Sequence, residues 1–110
     1  MIAAASAQAE SIGVAMNITV VDAGGNLTAF ERQDRAWLGS NCDCPSEGVH
    51  GPRDMPTADL QSMVQPDQPL YGIETSEPGH IIAFPGGIPL KIGDEVVGAI
   101  GVSGGMVEQD

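Results

Sequence analysis

A chain of 110 residues with 15 acids against 4 bases carries a formal charge of −11 and has the length of one small domain, residues 1–110. Nucleic acid and anionic membrane surfaces would repel such a chain, and Arg32, Arg35, Arg53 and Lys91 form no basic cluster in sequence. No apolar run approaches the ~20 residues that a bilayer-spanning helix needs.

The chain opens on MIAAASAQAES, which has Ala-x-Ala steps but no basic leader, so a reducing cytoplasm is the expected location. Its spacing predicts an amphipathic helix with Ile2, Ala5, Ala9 and Ile12 on one face, ended by Gly13. A strand over 16–21, a turn over 22–26 and a strand over 27–32 follow. Ala-Gly-Gly-Asn after Asp22 supplies good hairpin chemistry. Residues 33–56 are broken by Gly and Pro and show almost no periodicity.

Pro56-Thr57 then opens a short helix in which Leu60, Met63 and Val64 face one way, with Thr57 placed as an N-cap. Pro66 and Pro69 end it, and residues 71–73 read as one helical turn. Strands are expected over 80–84, 88–92 and 95–102, the last two joined by a Gly93-Asp94 turn. Five strands with flanking helices make an α+β domain, and no internal repeat is present.

The blocks VDAGGNL (21–27), WLGS (37–40), DMPTADL (54–60), QPLYGI (68–73), GGIPL (86–90) and VGAIGVSGG (97–105) occur in that order. Together they closely resemble the GlcG/HbpS family, whose haem-binding or haem-degrading domains also form the C-terminus of PduO proteins. The resemblance covers most of the chain outside residues 41–53. It implies a profilin-like antiparallel five-stranded sheet flanked by helices, a haem or related tetrapyrrole ligand, and a homo-oligomer. Relatives usually begin a turn or two earlier and continue into a long C-terminal helix, so both terminal helices look truncated here. The expectation is a less stable chain that leans on oligomerisation.

The family normally places a helix between WLGS and MPT, with the phrase Lys-Ala-Tyr-Thr-Ala. Residues 41–53 have neither helical spacing nor helix-compatible composition. Back-translated one base forward, they permit that same phrase. We read this segment as a compensated frameshift that disrupted the central helix. Cys42, Cys44 and His50 fall inside it and have the look of a metal site. Three ligands without a fourth, and a strained pairing of cysteines two apart, favour accidental loop residues.

Haem requires an apolar slot, an axial ligand and partners for two propionates. Met55, Leu70, Tyr71, Ile81, Phe84 and Ile88 are candidate walls, while Gly86, Gly87, Gly104 and Gly105 let backbone approach a flat ring. His80 is the candidate metal ligand, its plainer role being a solvent-facing strand-end residue. Thr57 is the other candidate, since the resemblance implies a threonine that some members present to iron. Tyr71 reads more simply as core, Asp22 as turn chemistry, Asp94-Glu95 as a charged hairpin tip, and Glu108 and Asp110 as solvated.

An enzyme is poorly supported. There is no Ser-His-Asp set or nucleophile elbow, GGIPLKIG lacks the Lys-Ser/Thr of a phosphate loop, and VGAIGVSGG opens no helix. The leading expectation is a protein that binds haem or a related tetrapyrrole, with haem degradation as the extension of that role. The alternatives are an accessory domain or small enzyme of glycolate or diol metabolism, and an oligomerising interaction module without catalysis.

Overall fold

Residues 1–39, 55–76, 81–83, 85–106 and 108–110 are described by the structure, a computed structural model. The first helix, α1 (Ile2–Ile12), stops where the sequence says it should. Gly13 takes the left-handed conformation at φ 71°, its N–H bonds the carbonyl of Glu10, and the Val14 N–H bonds that of Ala9. That pair of bonds is a Schellman close, open to glycine because it carries no Cβ. Ala9 is buried, with Ile2, Ala5 and Val14 packed on the same cluster. Ile12 stays 43% exposed, so the buried stripe covers only the earlier turns.

Four strands form the sheet: β1 (Asn17–Asp22), β2 (Leu27–Arg32), β3 (Gly87–Ile92) and β4 (Glu95–Ser103). Their order is β2-β1-β4-β3, with every neighbouring pair antiparallel. The β1–β2 hairpin closes as expected, because one oxygen of Asp22 accepts the N–H groups of Gly24 and Asn26 at 2.8 and 2.9 Å. The β3–β4 hairpin turns on Gly93, at φ 61°. Pro89 is tolerated because β3 lies at the sheet edge, where a missing ladder donor costs least.

Opposed residues share a face. Ile18 pairs with Val102 and Val20 with Ile100, so this face of β1 and β4 is the one that receives α1 around Ala9, Met16 and Ile18. Ile88 pairs with Ile100 but is 58% exposed, so α1 does not reach β3. The opposite face carries Asn17, Thr19 and Ser103, all buried, and is partly covered by the short helix α2 (Thr57–Met63). Leu60 of α2 is wholly buried. A 3-10 turn at Ile73–Thr75 replaces the helical turn expected over 71–73, shifted two residues on.

The described residues therefore form an α+β domain with a four-stranded antiparallel sheet and two α-helices. The expected fifth strand over 80–84 is not found: Ile81, Ile82 and Ala83 join no ladder, and residues 80 and 84 lie outside the described set. Pro78 and Pro85 bracket this segment, and proline withholds the donor that a ladder needs. The segment read as a disrupted helix, residues 41–53, also lies outside. No described helix is long and apolar enough to cross a membrane.

Candidate functional site

Antiparallel pairing brings the start of β3 beside the end of β4. The expected glycines therefore gather at one end of the sheet. Gly87 stands opposite Gly101, and the Gly86 carbonyl accepts the Val102 N–H at 2.9 Å. Gly104 and Gly105 follow within three residues of Val102, directly after β4.

Thr57 joins this group by a route the sequence did not reveal. The N-cap of α2 is Pro56, in extended conformation at φ −60° and ψ 147°, so Thr57 is the first helical residue and caps nothing. Its side chain points inward instead. At 1% exposure, its Oγ1 accepts the buried N–H of Gly87 at 2.9 Å, tying α2 to the first residue of β3 across 30 positions of sequence. A buried donor left unmatched costs about 1–3 kcal/mol, so this hydroxyl is a structural acceptor first.

The space left by two of the glycines is used by the chain itself. A Cβ on Gly104, at φ 150°, would lie 2.6 Å from the Ala15 carbonyl oxygen. One on Gly105 would meet the Gln109 and Asp110 side chains at 3.0 and 3.1 Å. The Gly105 N–H donates to Asp110 Oδ1 at 2.8 Å. Burial of that carboxyl raises its pKa above the ordinary aspartate value, although the Gly105 bond pulls the other way.

Tyr71 lies beyond the C-terminal end of α2 and is 67% exposed, a surface ring rather than the core residue expected. Its segment is fixed by backbone bonds from Leu70 to Met63 and from Tyr71 to Gln68. His80 and Phe84 lie outside the described residues, as do Cys42, Cys44 and His50. Asp22 is turn chemistry: hydrogen bonds from Asn26, backbone first and then side chain, lower its pKa. Among the described residues, no group of three or more His, Cys, Asp or Glu side chains is placed to hold a metal.

A polar groove of about 550 Å³ lies between α1 and the end of β2, where sequence reading singled out nothing. Gln33 builds its floor. Its Oε1 accepts the Met16 N–H at 2.9 Å, its Nε2 donates to the Ser6 carbonyl and hydroxyl, and the Ser6 hydroxyl donates to Glu31 at 2.7 Å. Glu10, Glu31 and Asp34 outnumber Arg32 on its walls, which disfavours a ligand bearing carboxylates. Nothing local in sequence marks Gln33, because its partners lie 17 and 27 positions away.

Comparison with known proteins places this arrangement. The model of the HbpS-like family, described as haem degrading protein HbpS-like, matches residues 1–43 and 49–110. It lapses over 44–48, inside the segment that departs from the family's central helix phrase. An uncharacterised 15.0 kDa protein from the dhaT-dhaS intergenic region of Citrobacter freundii is 37% identical over 120 aligned residues, covering 100% of this chain and 78% of that protein. The corrinoid adenosyltransferase PduO of Citrobacter freundii is 38% identical over 109 residues. That alignment takes in 97% of this chain but only 32% of PduO, about a third of its length. The crystal structure of a PduOC:haem complex superposes with a TM-score of 0.94 at 33% identity, covering 98% of this chain and 79% of that one. With the family model spanning nearly the whole sequence and a 37% identical relative matched over most of its length, the chain belongs to the HbpS-like family.

Proposed function

We propose that this domain binds haem or a closely related tetrapyrrole. The observation that carries the reading is the near-coincidence of its fold with a protein crystallised as a haem complex, at a TM-score of 0.94 over 98% of the chain.

The residue types that precede and open β3 in sequence suit such a group. Tyr71 presents an aromatic ring at the surface, and half-buried Gly86 carries no side chain to obstruct a flat ligand. His80 is six positions before Gly86 in sequence, and an imidazole is a group that iron accepts as an axial ligand. In this proposal His80 ligates the metal, while Tyr71 and Phe84 contact the ring. Thr57 holds α2 and β3 in place through Gly87, Gly104 seats the end of β4 against Ala15, and Gly105 packs against Gln109 and Asp110. Bound haem would supply its own redox chemistry, and the chain would supply its position.

The test is a titration of the full chain with hemin, followed by absorbance. A Soret shift that saturates, and that is lost or displaced in His80→Ala, is the expected result. No spectral change at hemin concentrations on the order of 10 μM would refute binding of useful affinity. Following the bound species under air with a reductant extends the reading to degradation, which requires the Soret band to bleach with time.

A further inference from the structure

The two edges of the sheet are left in opposite states. In an antiparallel ladder the N–H and C=O of alternate residues point at the paired strand, and those between them point away. On β3 the Gly86 carbonyl accepts the Val102 N–H, so Gly86 and Ile88 face β4 while Gly87 and Pro89 face outward. Neither outward position offers a donor. The Gly87 N–H is taken by Thr57 Oγ1, proline has none, and a register shift between Leu90 and Lys91 interrupts the remainder of that edge.

The β2 edge has no such closure. The Gln33 N–H bonds the Met16 carbonyl, so Glu31 and Gln33 face β1, while Phe30 and Arg32 turn their backbone groups outward. Among the described residues, nothing bonds either outward amide. The register shift of β2 falls at Thr28, clear of both positions. Phe30 stands opposite buried Thr19, which puts its ring on the face away from α1, where it remains 44% exposed. Leu27, opposite Val21 on the same face, is 61% exposed. Open strand edges of this kind are templates for another strand.

We propose that β2 pairs with β2 of a second copy of this chain, antiparallel about a two-fold axis at Phe30, joining the two four-stranded sheets into one. Outward groups must meet outward groups, and opposed residues share a face. With the axis at Phe30, the two Phe30 residues exchange N–H and C=O bonds, their rings meet on the face away from α1, and Glu31 stands opposite Ala29. An axis one residue on would set Glu31 directly against Glu31, a like-charge pair that destabilises a ladder. The strand thus fits itself in one register. Because the β3 edge is closed, addition stops at two copies. Within β2 the charges of Glu31 and Arg32 cancel, but Glu10 and Asp34 lie close by and each chain carries −11, so added salt should tighten the association.

The experiment is sedimentation equilibrium on the full chain, with amide hydrogen exchange read residue by residue. The variants are Phe30→Lys on the open edge and Ile92→Lys on the closed one, Ile92 being 72% exposed, so that both add the same charge at an exposed strand position. The expected result is a dimer below about 1 mM that Phe30→Lys weakens at least ten-fold, roughly, and Ile92→Lys leaves intact. In the parent, exchange of the Phe30 amide should slow as concentration rises. A parent that stays monomeric at about 1 mM, equal effects of the two lysines, or Phe30 exchange independent of concentration each overturns the proposal. Should Phe30→Lys fail to fold, the exchange of the Phe30 amide in the parent decides alone.

Discussion

Replacing Thr57 with valine keeps the shape of the side chain and removes only the acceptor. The Gly87 N–H then points into a buried site with nothing to bond, since Thr57 is 1% exposed and Gly87 is itself buried. An unsatisfied buried donor costs about 1–3 kcal/mol, whereas Thr57→Ser keeps the bond and loses one methyl, worth about 0.8 kcal/mol. The expected loss for the valine variant is about 2 kcal/mol. With a urea slope of about 1.5 kcal/mol per molar, its midpoint should fall by about 1.3 M, and that of the serine variant by less than half as much. Exchange of the Gly87 amide should also accelerate in the valine variant alone. Equal midpoints for valine and parent, or serine as damaging as valine, would mean that the hydroxyl is not the element joining α2 to β3. A cap role predicts a different pattern: Thr57→Asn would then be neutral, but here it forces a larger amide into the junction.

Two further outcomes follow from turns and close approaches. Gly104→Ala meets both a φ of 150° and the Ala15 carbonyl at 2.6 Å, and should cost about 3 kcal/mol. Gly13→Ala, with open space around it, should cost only about 1 kcal/mol for its left-handed backbone, and thermal melts of the two distinguish crowding from conformation. Hydrogen bonds from Asn26 hold the folded pKa of Asp22 below that of an ordinary aspartate, so its contribution to the β1–β2 turn is present above the unfolded pKa and lost as pH falls through the folded one. Stability measured between pH 5 and about 2 should therefore fall less steeply in Asp22→Asn than in the parent; identical slopes would refute the assignment.

What was legible in the sequence was local. The Asp22 turn, the Gly13 stop and the Gly93 hairpin each depend on residues within four or five positions, and the structure places them where the spacing says. Elements miss by a residue or two at their ends, as with β4, which runs on to Ser103 rather than stopping at 102. Thr57 shows where this kind of reading fails. Pro-Thr before an apolar spacing has the appearance of a cap, yet a proline in extended conformation already occupies that position, and the hydroxyl is spent on an amide 30 residues away. The segment before Pro85 fails differently: its apolar residues suit a strand, but strand formation depends on a neighbour with free donors, which composition does not record.

The gathering of the candidate site follows from topology more than from any motif. An antiparallel hairpin brings Gly86 and Gly87 to the end of the sheet where Gly104 and Gly105 leave β4, so the gathering was implicit once β3 and β4 were recognised. Its glycines, however, divide between two uses. Gly104 and Gly105 are small so that the chain can fold against itself, because Ala15 and Asp110 take up the room. Small residues at a sheet end are thus poor evidence for a ligand by themselves.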